Sequence, residues 1–226
     1  MTCRIYAVAG DYYHRADWSE QALRAAIAVL QERRVLAEGG LDEAYELAMV
    51  PAERLREAIK ERPDVLVITK EERLFPESPE PGRWMDEELQ LAIERYVSSG
   101  GALLALHSGL AYQSDGIYRR MLRGWFLHHP EQKTVRYSHV PAPHPVRLSS
   151  ASDFAFKDEH YFVHCEEDKT NVFLRSESED GESIAGWTHD YGAGRILCLT
   201  PAHTLEGLTD RTFIQLLADC LQTLSS

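Results

Sequence analysis

One of the ten histidines in this 226-residue chain ends an apolar run, in the stretch SSGGALLALHSG at 98–109. Ala105 stands two residues before His107 and Gly109 two after it. A tight strand-to-helix elbow demands small residues at those two positions. An imidazole presented on such a turn can serve as acid, base or metal ligand, because it ordinarily titrates near neutrality. A histidine there can also simply hydrogen-bond locally and cap the next helix. Centring the turn on Ser108 puts Leu106 and Leu110 at the flanking positions, which makes Ser108 the poorer nucleophile candidate.

Other candidates follow apolar runs in the same way. His14 comes after the first run (AVAGDYYHR), Lys70 and Glu71 after the third, and His203 after the last (ILCLTPAH). The segment GWFLHHP at 124–130 adds His128 and His129. Neighbouring side chains of an extended segment point to opposite sides, and Pro130 holds His129 extended, so His129 is the preferred member of the pair. The densest polar cluster is KDEHY at 157–161. Its Asp, Glu and Tyr suit a general base, a metal ligand or contacts to sugar hydroxyls, and equally a solvated turn. His139 and His144, in a proline-rich stretch, suit loop hydrogen bonding at least as well as function, and His160, His164 and His189 read as surface residues. There is no H-E-x-x-H and no Cys/His pair at zinc-finger spacing. A divalent metal, if the protein uses one, must be held by residues distant in sequence: His14, His107, His129, Glu159 or His203. Gly192 and Gly194 precede a strand and fit a hairpin turn better than a dinucleotide fingerprint.

These residues need elements to position them. Apolar runs at 3–9, 44–50 and 64–69 and the run inside the stretch 98–109 alternate with helical spacing at 18–36 and 85–98, and Pro51 opens a helix. This alternation predicts a parallel, doubly wound sheet. In such a sheet ligands gather beyond the carboxyl ends of the strands, where His14, His107 and His203 would meet. The second half changes texture after a short helix at 115–122. Residues 133–139 alternate, and 171–175 and 182–189 read as antiparallel strands, followed by a buried strand at 194–199 and a helix at 210–224. The loop 70–84, with Pro76, Pro79 and Pro81, is the longest irregular segment, a length that goes with functional loops. No repeat or linker divides the chain, which reads as one domain over 1–226.

Composition narrows the function classes. The net charge of −12 disfavours nucleic acid and an anionic membrane surface. Four scattered cysteines and no long apolar leader predict a reduced, cytoplasmic protein.

The motifs GGALLALHSG, GWFLHHP, HPV, DEHY, GWTHDYGAGRI and PAH, in this order and spacing, resemble the trehalose-utilisation (ThuA-like) family. That family lies within the class I glutamine amidotransferase-like fold. The resemblance implies a flavodoxin-like three-layer α/β sandwich with a mostly parallel sheet and some antiparallel strands in the second half. It implies a pocket lined by His107, His129, Glu159, Tyr161 and His203, with His14 beside them, and it adds to the preference for His129. The implied activity is sugar metabolism, on a keto-disaccharide or a related carbohydrate, by histidine acid/base chemistry. His107, Glu159, His129 and His203 would be catalytic. His14, Tyr161, Trp125 and Trp187 would bind substrate, the tryptophans and Tyr191 by stacking if they are not core. A metal, if bound, would fall to His107, His129 and His203. The alternatives are a sugar- or metabolite-binding module without catalysis and a metal-dependent hydrolase. Glutamine hydrolysis is not expected, because the elbow holds an imidazole where that chemistry needs a thiolate. A small-molecule carbohydrate is the expected partner, and a homo-oligomer is left open.

Overall fold

The computed structural model describes residues 2–38, 44–141, 143–149 and 152–225. Its first half alternates strand and helix. Strand β1 (Cys3–Ala9) leads to helix α1 (Ala16–Glu38), and β2 (Tyr45–Met49) to a short helical segment containing α2 (Leu55–Ala58). Next come β3 (Val65–Thr69), α3 (Glu87–Ser98) and β4 (Ala102–Leu106), and then α4 (Ile117–Leu122). Strands follow in succession: β5 (Gly124–His128), β6 (Lys133–His139), β7 (Phe154–Asp158), β8 (Phe162–Cys165), β9 (Asn171–Ser178), β10 (Gly181–Tyr191) and β11 (Gly194–Leu199). Helices α5 (Leu205–Leu208) and α6 (Arg211–Leu224) complete the chain.

Nine strands form one sheet in the order β2-β1-β3-β4-β11-β10-β9-β6-β7. The half from β2 to β11 is parallel, and every pairing from β11 outward to β7 is antiparallel. With β11 as fifth strand, the parallel half has the flavodoxin-like order 2-1-3-4-5, whose crevice opens beside β1 and β3. The central strands are uniformly apolar, VLVIT in β3 and ALLAL in β4, as strands buried on both faces must be. Alternate side chains of these strands feed two cores. Val65, Val67, Leu104 and Leu106 face α1 and α6, while Leu66, Ile68, Leu103 and Ala105 face α3 and α4. That is the three-layer sandwich.

Three elements were not anticipated from sequence. Strand β7 alternates buried and exposed residues and pairs with β6. Strands β5 and β8 form a separate antiparallel ribbon. The ribbon lies close over β10: a Cβ on Gly124 would stand 2.5 Å from the Trp187 ring and 2.7 Å from the His164 carbonyl. Among the described residues, no helix is long and apolar enough to cross a membrane.

Candidate active site

His107 begins a 3-10 turn directly after β4 and has φ +47°. This left-handed backbone is strained for any residue but glycine, and it turns the ring away from the strand. Gly109 makes the turn possible: a Cβ there would sit 2.0 Å from the Ile68 carbonyl oxygen. The elbow geometry read from the small flanking residues is therefore present, with histidine at its centre. Ser108 is fully buried, and its Oγ has no hydrogen-bond partner, so no base activates it.

Four side chains from four parts of the chain converge at this edge. His107 Nδ1 lies 2.6 Å from the Thr200 carbonyl. A carbonyl only accepts, so Nδ1 carries the proton and Nε2 keeps its lone pair. That lone pair is 3.4 Å from His203 Nδ1 and 3.7 Å from Glu159 Oε2. His203 Nδ1 is in turn 3.2 Å from Glu159 Oε2. His14 joins them edge-on, its ring centroid 5.0 Å from that of His107 and 4.8 Å from that of His203. Its Nδ1 donates to Asp11 Oδ1 at 2.6 Å, and its Nε2 is buried without a partner.

The supporting residues explain why the cluster holds this shape. The Asp11 carboxylate is fully buried and accepts from the backbone amides of Tyr13, His14 and Glu71 as well as from the His14 ring. Asp158, buried at the end of β7, accepts from the His203 amide (2.7 Å) and the Tyr137 hydroxyl (2.7 Å). That tie fixes Glu159, the next residue, beside His203. Tyr161 stacks on His107 with centroids 4.1 Å apart.

Electrostatics separate the roles. Burial pushes His107 down to about 4, even against the opposing pull of Glu159. At neutral pH it is a lone-pair donor, which corrects the expectation of a base near neutrality. Burial alone would raise Glu159, but the His107 and His203 imidazoles beside it outweigh this and hold it well below the usual carboxylate range. Burial would lower His203, but Glu159 more than compensates and raises it. Burial pushes Asp158 up to about 7, so adjacent carboxyls are driven apart.

The cluster opens into a cavity of about 310 Å³ lined by Tyr13, His14, Glu71, Phe126, His129, Glu159 and Tyr161. This is the low end of small-ligand pockets. His129 stands at its mouth, 38% exposed, with Nε2 3.8 Å from Glu159 Oε2 and Nδ1 donating to the Pro130 carbonyl. His128 points elsewhere and stacks on Phe162. Glu71 is buried and holds Arg73 with Oε2, while its Oε1 has no partner.

Several expectations need correction. Trp187 is fully buried in the α3/α4 core, with its indole N–H donating to the Leu122 carbonyl. Trp125 lies away from the cavity, under the Arg119 guanidinium and against His164. Tyr191 donates to Glu94 and is likewise remote. Neither tryptophan is placed to stack on a ligand in this cavity. Phe126 supplies an aromatic wall instead, a role that the period-2 pattern of β5 assigns once Trp125 is known to face away. Among the residues expected at the surface, His160 and His189 are in fact buried. His160 hydrogen-bonds Ser176 and Ser178, and His189 the Met121 carbonyl. The compact metal-competent group contains His14 in place of His129. Arg73 and Tyr13 at the cavity were not singled out from sequence; both sit on loops whose path only the fold determines.

The trehalose-utilisation family profile matches residues 12–222. No curated protein matches the chain. Among solved structures, a ThuA-like protein from Parabacteroides merdae aligns with a TM-score of 0.74 at 14% identity, over 100% of this chain and 91% of that one. A ThuA-like protein from Bacteroides uniformis aligns with a TM-score of 0.65 at 15% identity, over 99% and 91% respectively. The fold also recurs within a larger enzyme. A β-galactosidase from Bacillus circulans sp. alkalophilus aligns with a TM-score of 0.58 at 12% identity, over 97% of this chain but 30% of that one.

Proposed function

This chain belongs to the trehalose-utilisation (ThuA) family, and we propose that within it the protein is an enzyme acting on a keto-disaccharide, or a related oxidised carbohydrate, by proton transfer beside the carbonyl. The observation that carries the reading is the convergence of His107, Glu159 and His203 below a sugar-sized cavity with His129 at its mouth.

His129 Nε2 is free of protein donors and faces the cavity, so it is the group to remove a proton from the carbon next to the keto group. His203 points Nδ1 at the Glu159 carboxylate, 3.2 Å away, and so holds there an N–H that can be given to the carbonyl oxygen as the C–H bond breaks. The product of that step is a neutral enediol. Return of a proton to the neighbouring carbon, with loss of the enediol proton, moves the carbonyl by one position. Glu159 remains ionised and orients His203. Glu71 Oε1 and the Phe126 and Tyr161 rings offer hydroxyl and ring-face contacts. The thiols have no part in this scheme: Cys198 and Cys220 are buried in the cores, where burial raises their pKa values.

The test is solvent exchange. A 3-keto-disaccharide incubated with the protein in D2O, with and without added divalent metal, should gain deuterium beside the carbonyl. His129→Ala should slow that exchange by about 10²–10⁴-fold. Absence of exchange by the wild-type protein, or equal exchange by His129→Ala, overturns the reading. Thermal stabilisation by the sugar without exchange would instead support a binding module.

A further inference from the structure

We propose that His14, His107, Glu159 and His203 form a binding site for one divalent transition-metal ion. One ligand atom from each lies within 4.8 Å of the other three. The hydrogen bonds identify the atoms: Nε2 of His14 and His107, whose Nδ1 protons are engaged elsewhere, Oε2 of Glu159 and Nδ1 of His203.

The distances suit an ion. Ligands each about 2.1 Å from a common tetrahedral metal stand roughly 3.4 Å apart. The His203–Glu159, His107–His203 and His107–Glu159 separations are 3.2, 3.4 and 3.7 Å. Protons alone serve this arrangement poorly. Three acceptors, the two Nε2 lone pairs and the carboxylate oxygen, surround a single N–H on His203. The His107 lone pair faces the carboxylate acceptor to acceptor. His14 is the independent sign: its side chain is 10% exposed, and its Nε2 is aimed at the cluster with no partner. A cation satisfies all of these groups at once.

The supporting hydrogen bonds are those of a metal centre. Ligating histidines characteristically pass their second N–H to a carboxylate or backbone carbonyl, and here Asp11 and the Thr200 carbonyl receive them. Three imidazoles and one carboxylate select zinc, manganese, iron or cobalt over magnesium and calcium, which take oxygen ligands. His14 and Glu159 also line the cavity, so an ion expanding to a fifth ligand would accept it from the cavity side. The ion, occupying His203 Nδ1, would there polarise a carbonyl oxygen in place of the N–H that the metal-free site offers. That role rests on the keto-sugar reading above, whereas the binding itself does not.

The experiment is metal titration of the full chain after chelator treatment, with Zn²⁺ followed by calorimetry and Co²⁺ by visible absorption. The expected result is one equivalent bound, with a Co²⁺ spectrum showing nitrogen ligation and a raised melting temperature. His14→Gln and Glu159→Gln retain side-chain bulk, and their melting curves report folding. Each should weaken binding by about 100-fold, and Asp11→Asn by roughly 10–100-fold. His129→Ala should leave metal affinity unchanged. No bound metal, or undiminished affinity in folded His14→Gln and Glu159→Gln, overturns the proposal. Metal binding without deuterium exchange on any keto-sugar overturns the functional reading and leaves the centre standing; exchange by metal-free protein that binds no metal does the reverse.

Discussion

Asp11→Asn is the sharpest test of how the site edge is held, because it changes one buried oxygen into an N–H₂ at nearly constant volume. The carboxylate accepts four hydrogen bonds. Oδ1 takes the Tyr13 amide (3.0 Å), the His14 amide (3.0 Å) and the His14 ring (2.6 Å), and Oδ2 takes the Glu71 amide (2.9 Å). Asparagine has one acceptor oxygen. Pointed at His14, it leaves its own N–H₂ against the Glu71 N–H; pointed at Glu71, it opposes three donors. The first orientation is the cheaper one. It forfeits one hydrogen bond to a charged group, about 1.5–3 kcal/mol, and leaves donors facing each other in a buried place, about 1–3 kcal/mol. With partial relaxation the net expectation is a destabilisation of about 2–4 kcal/mol. Urea denaturation in the presence of a chelator, so that metal affinity does not enter, should show a lower midpoint at constant slope. The melting temperature should fall by roughly 4–16 °C. A variant within about 0.5 kcal/mol of wild type would refute the reasoning, since the four donors would then have other acceptors.

Three further outcomes follow from the same structure. Gly109→Ala places a Cβ 2.0 Å from the Ile68 oxygen; it should cost about 1–3 kcal/mol in denaturant titration and lower turnover by displacing His107. His189 is buried and held at about 4 against an ordinary 6.5. The unfolded chain therefore binds its proton first, and stability that is full above pH 6.5 declines toward pH 4, by about 3 kcal/mol for this group. The slope of stability against pH between those values should be flatter in His189→Gln, whose amide can keep the bond to the Met121 carbonyl. Trp187→Ala should destabilise by about 3–5 kcal/mol, whereas Trp125→Ala should leave sugar turnover at the wild-type level; a loss of turnover with unchanged stability in Trp125→Ala would return that ring to the site.

Much of this architecture was legible before the structure, for physical reasons. The parallel half announces itself because strands buried on both faces must be continuous apolar runs, and because the residues that end them must lie at one edge. His14, His107 and His203 could therefore be placed together without any motif. The elbow was readable because Gly109 has no room for a Cβ. The ribbon was not readable: β5 and β8 are short, carry aromatic and histidine residues on both sides, and pair across a long stretch of intervening chain. That gap accounts for the misplacement of Trp125. Trp187 was misread because a ring in a strand may face a ligand or a core with the same sequence pattern. The buried states of His160 and His189 depend on serines and a carbonyl that only tertiary packing supplies.

The ribbon and the sheet edge divide the site between two kinds of scaffold. His14, His107 and His203 are anchored by the termini of the central strands, whose register the whole sandwich enforces. His129, Phe126 and Tyr161 belong to, or adjoin, a two-stranded element outside that register. Selection can therefore lengthen, shorten or recolour the mouth without disturbing the buried centre. The buried histidine–carboxylate centre and ligand choice become separately inheritable traits, and exchanging the 124–130 and 160–165 segments between relatives, with His129 kept, is the graft that would transfer preference while keeping the reaction.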